Sequence, residues 1–178
     1  MNNIESIEAI SRLKGKEKVR VLFVCLGNIC RSPAADGIMH AIVAEHNDEA
    51  RWEIDSAGTG GYHVGDLPDS RMRIHACRRG LELNHICRKV RISDFDDFDL
   101  IIPMDASNET NLRRIAPSIE SEEKIIPMAK FITMARRFDY IPDPYYEGAE
   151  GFELVLDLLQ NGCANLYDIV SKILNDKN

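Results

Sequence analysis

The run Val21-Leu22-Phe23-Val24 is short, apolar and β-branched at both ends, and it stops at Cys25, where the chain enters a loop crowded with reactive and anion-binding residues. A continuous apolar run of this length reads as a central strand of a parallel sheet, covered on both faces. Leu26, Gly27, Asn28, Ile29 and Cys30 then turn the chain, and Gly27 and Asn28 are the residue types that most readily accept a positive φ. From Ser32 a helix can begin. Ser suits the N-cap, Pro33 suits the first helical position, and Ala34, Ala35, Ile38, Met39, Ile42 and Val43 recur at helical spacing, with an end expected near Glu45.

A strand that feeds a tight loop and then a helix gathers backbone N–H groups into a concave nest at the positive end of the helix, a binding place for a doubly charged oxyanion. The same field favours a thiolate over a thiol, so Cys25 is expected to be nucleophilic near neutral pH, with the Ser32 hydroxyl available to its sulfur. Arg31 supplies a planar fork that can hold two oxygens of a phosphoryl group. A nucleophile facing a bound phosphate is half of a phosphatase site. The spacing of Cys25 and Arg31 alone is weak, and a buried, inert cysteine at a strand end accounts for it. The surrounding strand, Gly-Asn turn and Ser-Pro helix start carry the argument.

A second constellation lies more than 100 residues away, in Ile141-Pro142-Asp143-Pro144-Tyr145-Tyr146. Two prolines fix the backbone around Asp143 and deny it helix or sheet, so the carboxylate is presented rather than packed. A phenol has a pKa of about 10, so a phenolate leaves phosphorus poorly at neutral pH unless an acid protonates it. The same carboxylate can then activate water. By itself the stretch reads as a proline-rich turn with surface tyrosines, and its value comes from agreement with the first motif.

VLFVCLGNICRSPAADG resembles the signature of the low-molecular-weight protein tyrosine phosphatases, and the resemblance runs from about Val19 to Leu174. It implies Cys25 as nucleophile, the loop Leu26, Gly27, Asn28, Ile29, Cys30, Arg31 and Ser32 as phosphate-binding, and Asp143 as general acid. It also implies Cys30 as a redox partner able to form a reversible, protective disulfide with Cys25. Ser56, ahead of Ala57-Gly58-Thr59, matches the serine that bonds the loop asparagine, here Asn28, and His85 matches the histidine that joins Ser32, Ser56 and Asn28 beneath the loop. Leu26, Ile29, Tyr62, Tyr145 and Tyr146 fall where the family walls its substrate pocket. Met104-Asp105-Ala106-Ser107-Asn108 resembles the family's turn into a helix, which Asp105 would cap without a catalytic role. Asp36 departs from the family's usual glutamate.

The expected activity is hydrolysis of phosphotyrosine in protein substrates through a cysteinyl-phosphate, with neither metal nor cofactor. Three rivals share parts of the pattern. Protein-arginine phosphatases carry a small polar residue where this loop has Ile29. A thioredoxin-coupled arsenate reductase needs two further relay cysteines, and Cys77 and Cys87 do not stand where that relay would. A phosphate-binding module without turnover has no use for both Cys25 and Asp143.

Trp52–Ser56 reads as the second strand, leading into the flexible connection Ala57-Gly58-Thr59-Gly60-Gly61; Asp99–Pro103 reads as the third and Lys124–Pro127 as the fourth. Pro68–Gly80 is an arginine-rich helix, read as a solvated face with a phosphate patch as the alternative. Phe152, Val155, Leu156, Leu159, Cys163, Leu166, Val170 and Ile173 form the stripe of a long closing helix over 151–174, in which Cys163 belongs to the core. The expected fold is therefore α/β: one domain with a four-stranded parallel sheet, helices on both faces, and the phosphate-binding loop after the first strand. Residues 1–18 read as an N-terminal extension to a domain of 19–178. In it Ile4, Ile7, Ile10 and Leu13 precede Lys14, Lys16 and Lys18, as either a frayed terminus or a partner-binding helix.

At 178 residues and 44% hydrophobic content the chain can bury one core. A net charge of −7 argues against a general nucleic-acid or anionic-membrane binder. Five cysteines without a repeated CxxC argue against a disulfide scaffold or structural zinc, and with no secretory leader or membrane span legible, the cytoplasm is the expected location. Oligomeric state and any regulation by Cys25–Cys30 oxidation or by phosphorylation of Tyr145 and Tyr146 stay open.

Overall fold

The computed structural model describes residues 9–176. Its centre is strand β1 (Val19–Cys25), flanked in parallel by β2 (Trp52–Gly58) on one side and β3 (Leu100–Pro103) on the other, in the order β2-β1-β3. Cys25 lies opposite Gly58, and Val24 lies opposite Pro103, so the three strands end together at their carboxyl ends. Because successive side chains point to opposite faces, β1 feeds two cores. Val19, Val21, Phe23 and Cys25 enter the larger one, and Leu22 and Val24 enter a smaller one with Phe95, Phe98, Ile101 and Leu112.

The larger core is closed by α1 (Arg31–Glu45) and, against it, by a long C-terminal helix; α2 (Ser70–Arg78) also packs on that helix. The short α3 (Asp94–Asp97), α4 (Ala106–Ile115) and α5 (Ile119–Glu122) come next, and the long helix is α6 (Ala149–Asn175). Every residue of the expected α6 stripe belongs to the larger core, Ile173 only partly buried, and Cys163 is fully buried beside the Ala35 carbonyl, its thiol pushed up by burial.

Among the described residues the sheet has three strands, not four. Lys124–Pro127 meets β3 at one point only, the parallel bridge between Ile101 and Ile125. Ile101 N–H donates to the Lys124 carbonyl at 2.9 Å and Ile126 N–H donates to the Ile101 carbonyl at 3.0 Å. Pro127 then offers no N–H to continue a ladder, and the chain tightens into a 3₁₀ turn over Met128–Phe131.

α1 begins at Arg31, ahead of the expected Ser32 cap, with Cys30 at the N-cap position and no side-chain cap. Ala34 N–H already closes the first turn onto the Cys30 carbonyl, and the Ser32 hydroxyl is engaged elsewhere. α2 is shorter than its arginine-rich span suggests: Asp69 caps it, and the chain leaves it through Gly80 at φ +77°. Its arginines are not simply solvated, since Arg79 pairs with Glu153 and Asp157 of α6. Ile10 and Leu13 are fully buried in the larger core, whereas Ile4 and Ile7 lie outside the described residues. Among the described residues no helix is long and apolar enough to cross a membrane.

Candidate active site

The loop between β1 and α1 is shaped by Asn28, which takes the left-handed conformation at φ +58° and is completely buried. Its side-chain oxygen accepts the Arg88 backbone N–H at 2.9 Å, which fixes the orientation of the amide. The amide nitrogen therefore donates to Ser32 Oγ at 2.8 Å and to Ser56 Oγ at 2.9 Å. His85 Nε2, 3.0 Å from the same Asn28 oxygen, must carry the proton, because that oxygen can only accept. The Ser32, Ser56, Asn28 and His85 network expected from sequence is thus assembled in one place.

Beneath the loop, Cys87 Sγ donates to the Asn28 carbonyl at 2.8 Å, and burial, with Asp66 and Cys25 nearby, pushes its thiol up to about 11. The carbonyls of Cys25, Leu26, Asn28, Ile29 and Cys30 all accept bonds from other groups. The N–H groups from Leu26 to Arg31, by contrast, have no acceptor among the described residues. A loop with its carbonyls engaged and its amides unspent at a helix N-terminus suits an anion. Gly58, across from Cys25 in β2, allows this closeness: a Cβ there would lie 2.7 Å from the Leu26 carbonyl oxygen and 3.1 Å from Asn28 N.

Cys25 Sγ lies 3.0 Å from Ser32 Oγ. Since Ser32 accepts from Asn28, its own proton is free for the sulfur, with the Ala57 carbonyl, 3.3 Å away, as the competing acceptor. Arg31 is buried, and desolvation works against its charge. Cys25, Asp105 and Asp143 outweigh that cost and hold the guanidinium above its ordinary value. Its Nη1 donates to Asp105 Oδ2 at 2.6 Å and to the Ile141 carbonyl at 3.1 Å, and its Nη2 donates to Asp143 Oδ2 at 3.3 Å. Asp105 caps α4 by accepting from Asn108 N–H at 2.8 Å, as expected, and also orients Arg31, a second duty that the sequence did not disclose.

These groups line a cavity of about 340 Å³, to which the loop contributes Cys25, Gly27, Ile29, Cys30 and Arg31. Leu26, Tyr62, Asp143, Tyr145 and Tyr146 also line it. Tyr145 and Tyr146 meet edge to face with ring centres 4.9 Å apart, Tyr146 is 92% exposed, and the Arg71 guanidinium sits 5.2 Å from the Tyr145 ring centre. Asp143 accepts the Tyr145 N–H at 3.1 Å, a turn that its flanking prolines favour. His63 lines the cavity too and was missed from sequence. Its only signal was its place beside Tyr62 after a Gly-Gly pair.

Cys30 is a free thiol, as are the other four cysteines. Burial, reinforced by Asp69, Cys25 and Asp143, raises its thiol well above the ordinary range. Behind the loop, Asp36, Asp55 and His85 present ligand-type atoms within 4.8 Å of one another. His40 Nδ1 already meets Asp36 at 2.8 Å and Arg88 meets Asp55 at 2.9 Å, so each of these carboxylates has a nitrogen partner outside the trio. A larger cleft of about 780 Å³ beside Met104 and Asp105 is lined by no cysteine, serine or histidine.

Residues 20–177 match the family model described as low molecular weight phosphotyrosine protein phosphatase. The chain belongs to this family. The low molecular weight phosphotyrosine protein phosphatase of Schizosaccharomyces pombe is 41% identical over 137 residues, covering 76% of this chain and 86% of that one. The fold is similar to that of a protein tyrosine phosphatase from Entamoeba histolytica, with a TM-score of 0.84 and 41% identity over 87% of this chain and 98% of that one. It is also similar to an arginine phosphatase from Drosophila, with a TM-score of 0.77 and 35% identity over 83% and 95% of the two chains.

Proposed function

We propose that this low-molecular-weight phosphatase hydrolyses phosphotyrosine in protein substrates through a cysteinyl-phosphate intermediate, without a metal ion. The observation that carries this reading is that Cys25, Arg31 and Asp143 line one cavity, at a loop whose N–H groups are unspent. The phosphoryl group would sit on those amides with two oxygens on the Arg31 fork. Cys25 Sγ attacks phosphorus as the bond to the phenolic oxygen breaks, and the proton on Asp143 passes to that oxygen. In the second step the Asp143 carboxylate takes a proton from water as the water oxygen attacks phosphorus. The S–P bond breaks, and the Ser32 hydroxyl stabilises the returning thiolate. Arg31 and the amides supply the positive field that a metal would otherwise provide.

Burial raises the Cys30 thiol and makes it a poor nucleophile, which leaves the attack to Cys25; the reversible Cys25–Cys30 disulfide is what the family resemblance implies. Such chemistry suits a reducing compartment such as the cytoplasm. Likeness to an arginine phosphatase supports a second substrate, phosphoarginine. The apolar Ile29 in the cavity, with Tyr62, Tyr145 and Tyr146 around it, favours the flat aryl ring instead.

Initial rates of phosphate release from matched phosphotyrosine, phosphoserine and phosphoarginine peptides, in EDTA and reductant, test the reading. Phosphotyrosine should turn over fastest, Cys25→Ser should show no turnover, and Asp143→Ala should lose roughly 10²- to 10⁴-fold. Faster phosphoarginine release would keep the chemistry and overturn the pocket assignment, while activity in Cys25→Ser would overturn the mechanism.

A further inference from the structure

Beside the cavity lies a second cleft of about 260 Å³ that shares Leu26 and Tyr62 with it. Thr59, Gly60, Lys89 and Arg114 also line this cleft. Lys89 is held by its backbone, because the Gly58 N–H donates to the Arg88 carbonyl at 2.9 Å and the Val90 N–H donates to the Gly58 carbonyl at 2.8 Å. Arg114 stands near the end of α4, the helix that Asp105 caps.

Lys89 and Arg114 differ from their neighbours in sequence by their lack of ionic partners among the described residues. Arg71 is paired with Asp69, Arg88 with Asp55 and Asp94, and Arg113 with Glu109 and Glu122. Lys89 has no ion-pair partner among the described residues, and Arg114 reaches only the side-chain oxygen of Asn111 at 3.3 Å. Other basic side chains are also without an ionic partner among the described residues, but these two line one cleft that adjoins the Cys25 cavity, and together they give it a local positive field.

Resting on the phosphotyrosine reading, we propose that this cleft is a specificity subsite for an acidic side chain, aspartate or glutamate, close to the phosphotyrosine in the substrate's sequence. With the aryl phosphate in the cavity, a peptide leaving over Leu26 and Tyr62 carries a neighbouring residue to the cleft. One residue spans roughly 3.3–3.6 Å, so a position within about three of the phosphotyrosine suffices. The carboxylate takes its bonds from Lys89 Nζ and the Arg114 guanidinium.

The test uses phosphotyrosine peptides that differ only by Glu or Gln at each position from three before to three after the phosphotyrosine. kcat/KM is measured for the wild type and for the double variant Lys89→Gln/Arg114→Gln, with phenyl phosphate as a substrate too small to reach the cleft. The wild type should favour Glu over Gln by about threefold to tenfold at one or more positions, less so as NaCl rises. The double variant should lose that preference and keep the wild-type rate on phenyl phosphate. Equal rates for Glu and Gln at every position, or a preference that survives in the double variant, overturns the subsite. Absence of phenyl phosphate hydrolysis overturns the phosphatase reading instead. In that case anisotropy of the labelled Glu and Gln peptides on the Cys25→Ser protein, with and without the two substitutions, decides the subsite by the same ratio.

Discussion

Asp105 holds two jobs in one carboxylate, with Oδ1 capping α4 and Oδ2 holding Arg31. Asparagine caps a helix about as well as aspartate but cannot neutralise a guanidinium. Asp105→Asn should therefore keep the α4 cap yet leave the buried Arg31 charge without its 2.6 Å partner, so that the melting temperature and kcat/KM both fall, the latter about tenfold, as calorimetry and steady-state kinetics read. His40 gives a different kind of test. Its bond to Asp36, aided by Asp55, raises its pKa in the folded state against a partial cost of burial. A raised folded value means that the stabilisation is complete below the unfolded value of about 6.5 and is lost as pH climbs through the folded one. The ring is more than half exposed, so the effect is at most about 0.5 kcal/mol. His40→Gln should melt below the wild type at pH 5.5 and match it at pH 9, as read by thermal unfolding at both values.

At the scale of elements, what the sequence disclosed and what it hid divide along a physical line. Patterns confined to one segment were legible: the apolar run of β1, the α6 stripe, the Asp105 cap and the Gly80 exit. Features that depend on a distant partner were not. Lys124–Pro127 has the composition of a strand, yet its pairing is limited to one bridge because Pro127 and the following 3₁₀ turn leave β3. Ser32 is a good cap by type and is expected at the Cys25 sulfur as well; the fold gives its hydroxyl to Cys25 and Ala57 and none of it to the helix end, a choice between two roles that no local pattern reports. Gly58 was read as part of a flexible connection. It is instead the last residue of β2, placed where the loop backbone leaves no room for a side chain. Gly58→Ala should displace the loop, lowering kcat/KM on any aryl phosphate by at least about tenfold and stability by about 1–3 kcal/mol, measured by kinetics and by denaturant unfolding. A wild-type rate in this variant would show that the loop tolerates displacement.

Across the whole molecule the candidate site is a meeting of remote segments. Asn28 is served by residues 32, 56, 85, 87 and 88, and Arg31 by residues 105, 141 and 143. The family resemblance located most of these side chains, but it could not supply Arg88, Cys87 or the second role of Asp105, since each acts through a contact that only the folded chain creates. The strand order β2-β1-β3 has a consequence for how the protein is made. β1 leaves the ribosome first, yet one neighbour starts at residue 52 and the other at residue 100. A nascent chain halted before Leu100 therefore carries a half-built sheet, with the apolar edge of β1 open to any other strand. Synthesis has to run well past the midpoint before the reactive cysteine acquires its finished surroundings, so truncated products of this chain are expected to be sticky rather than active.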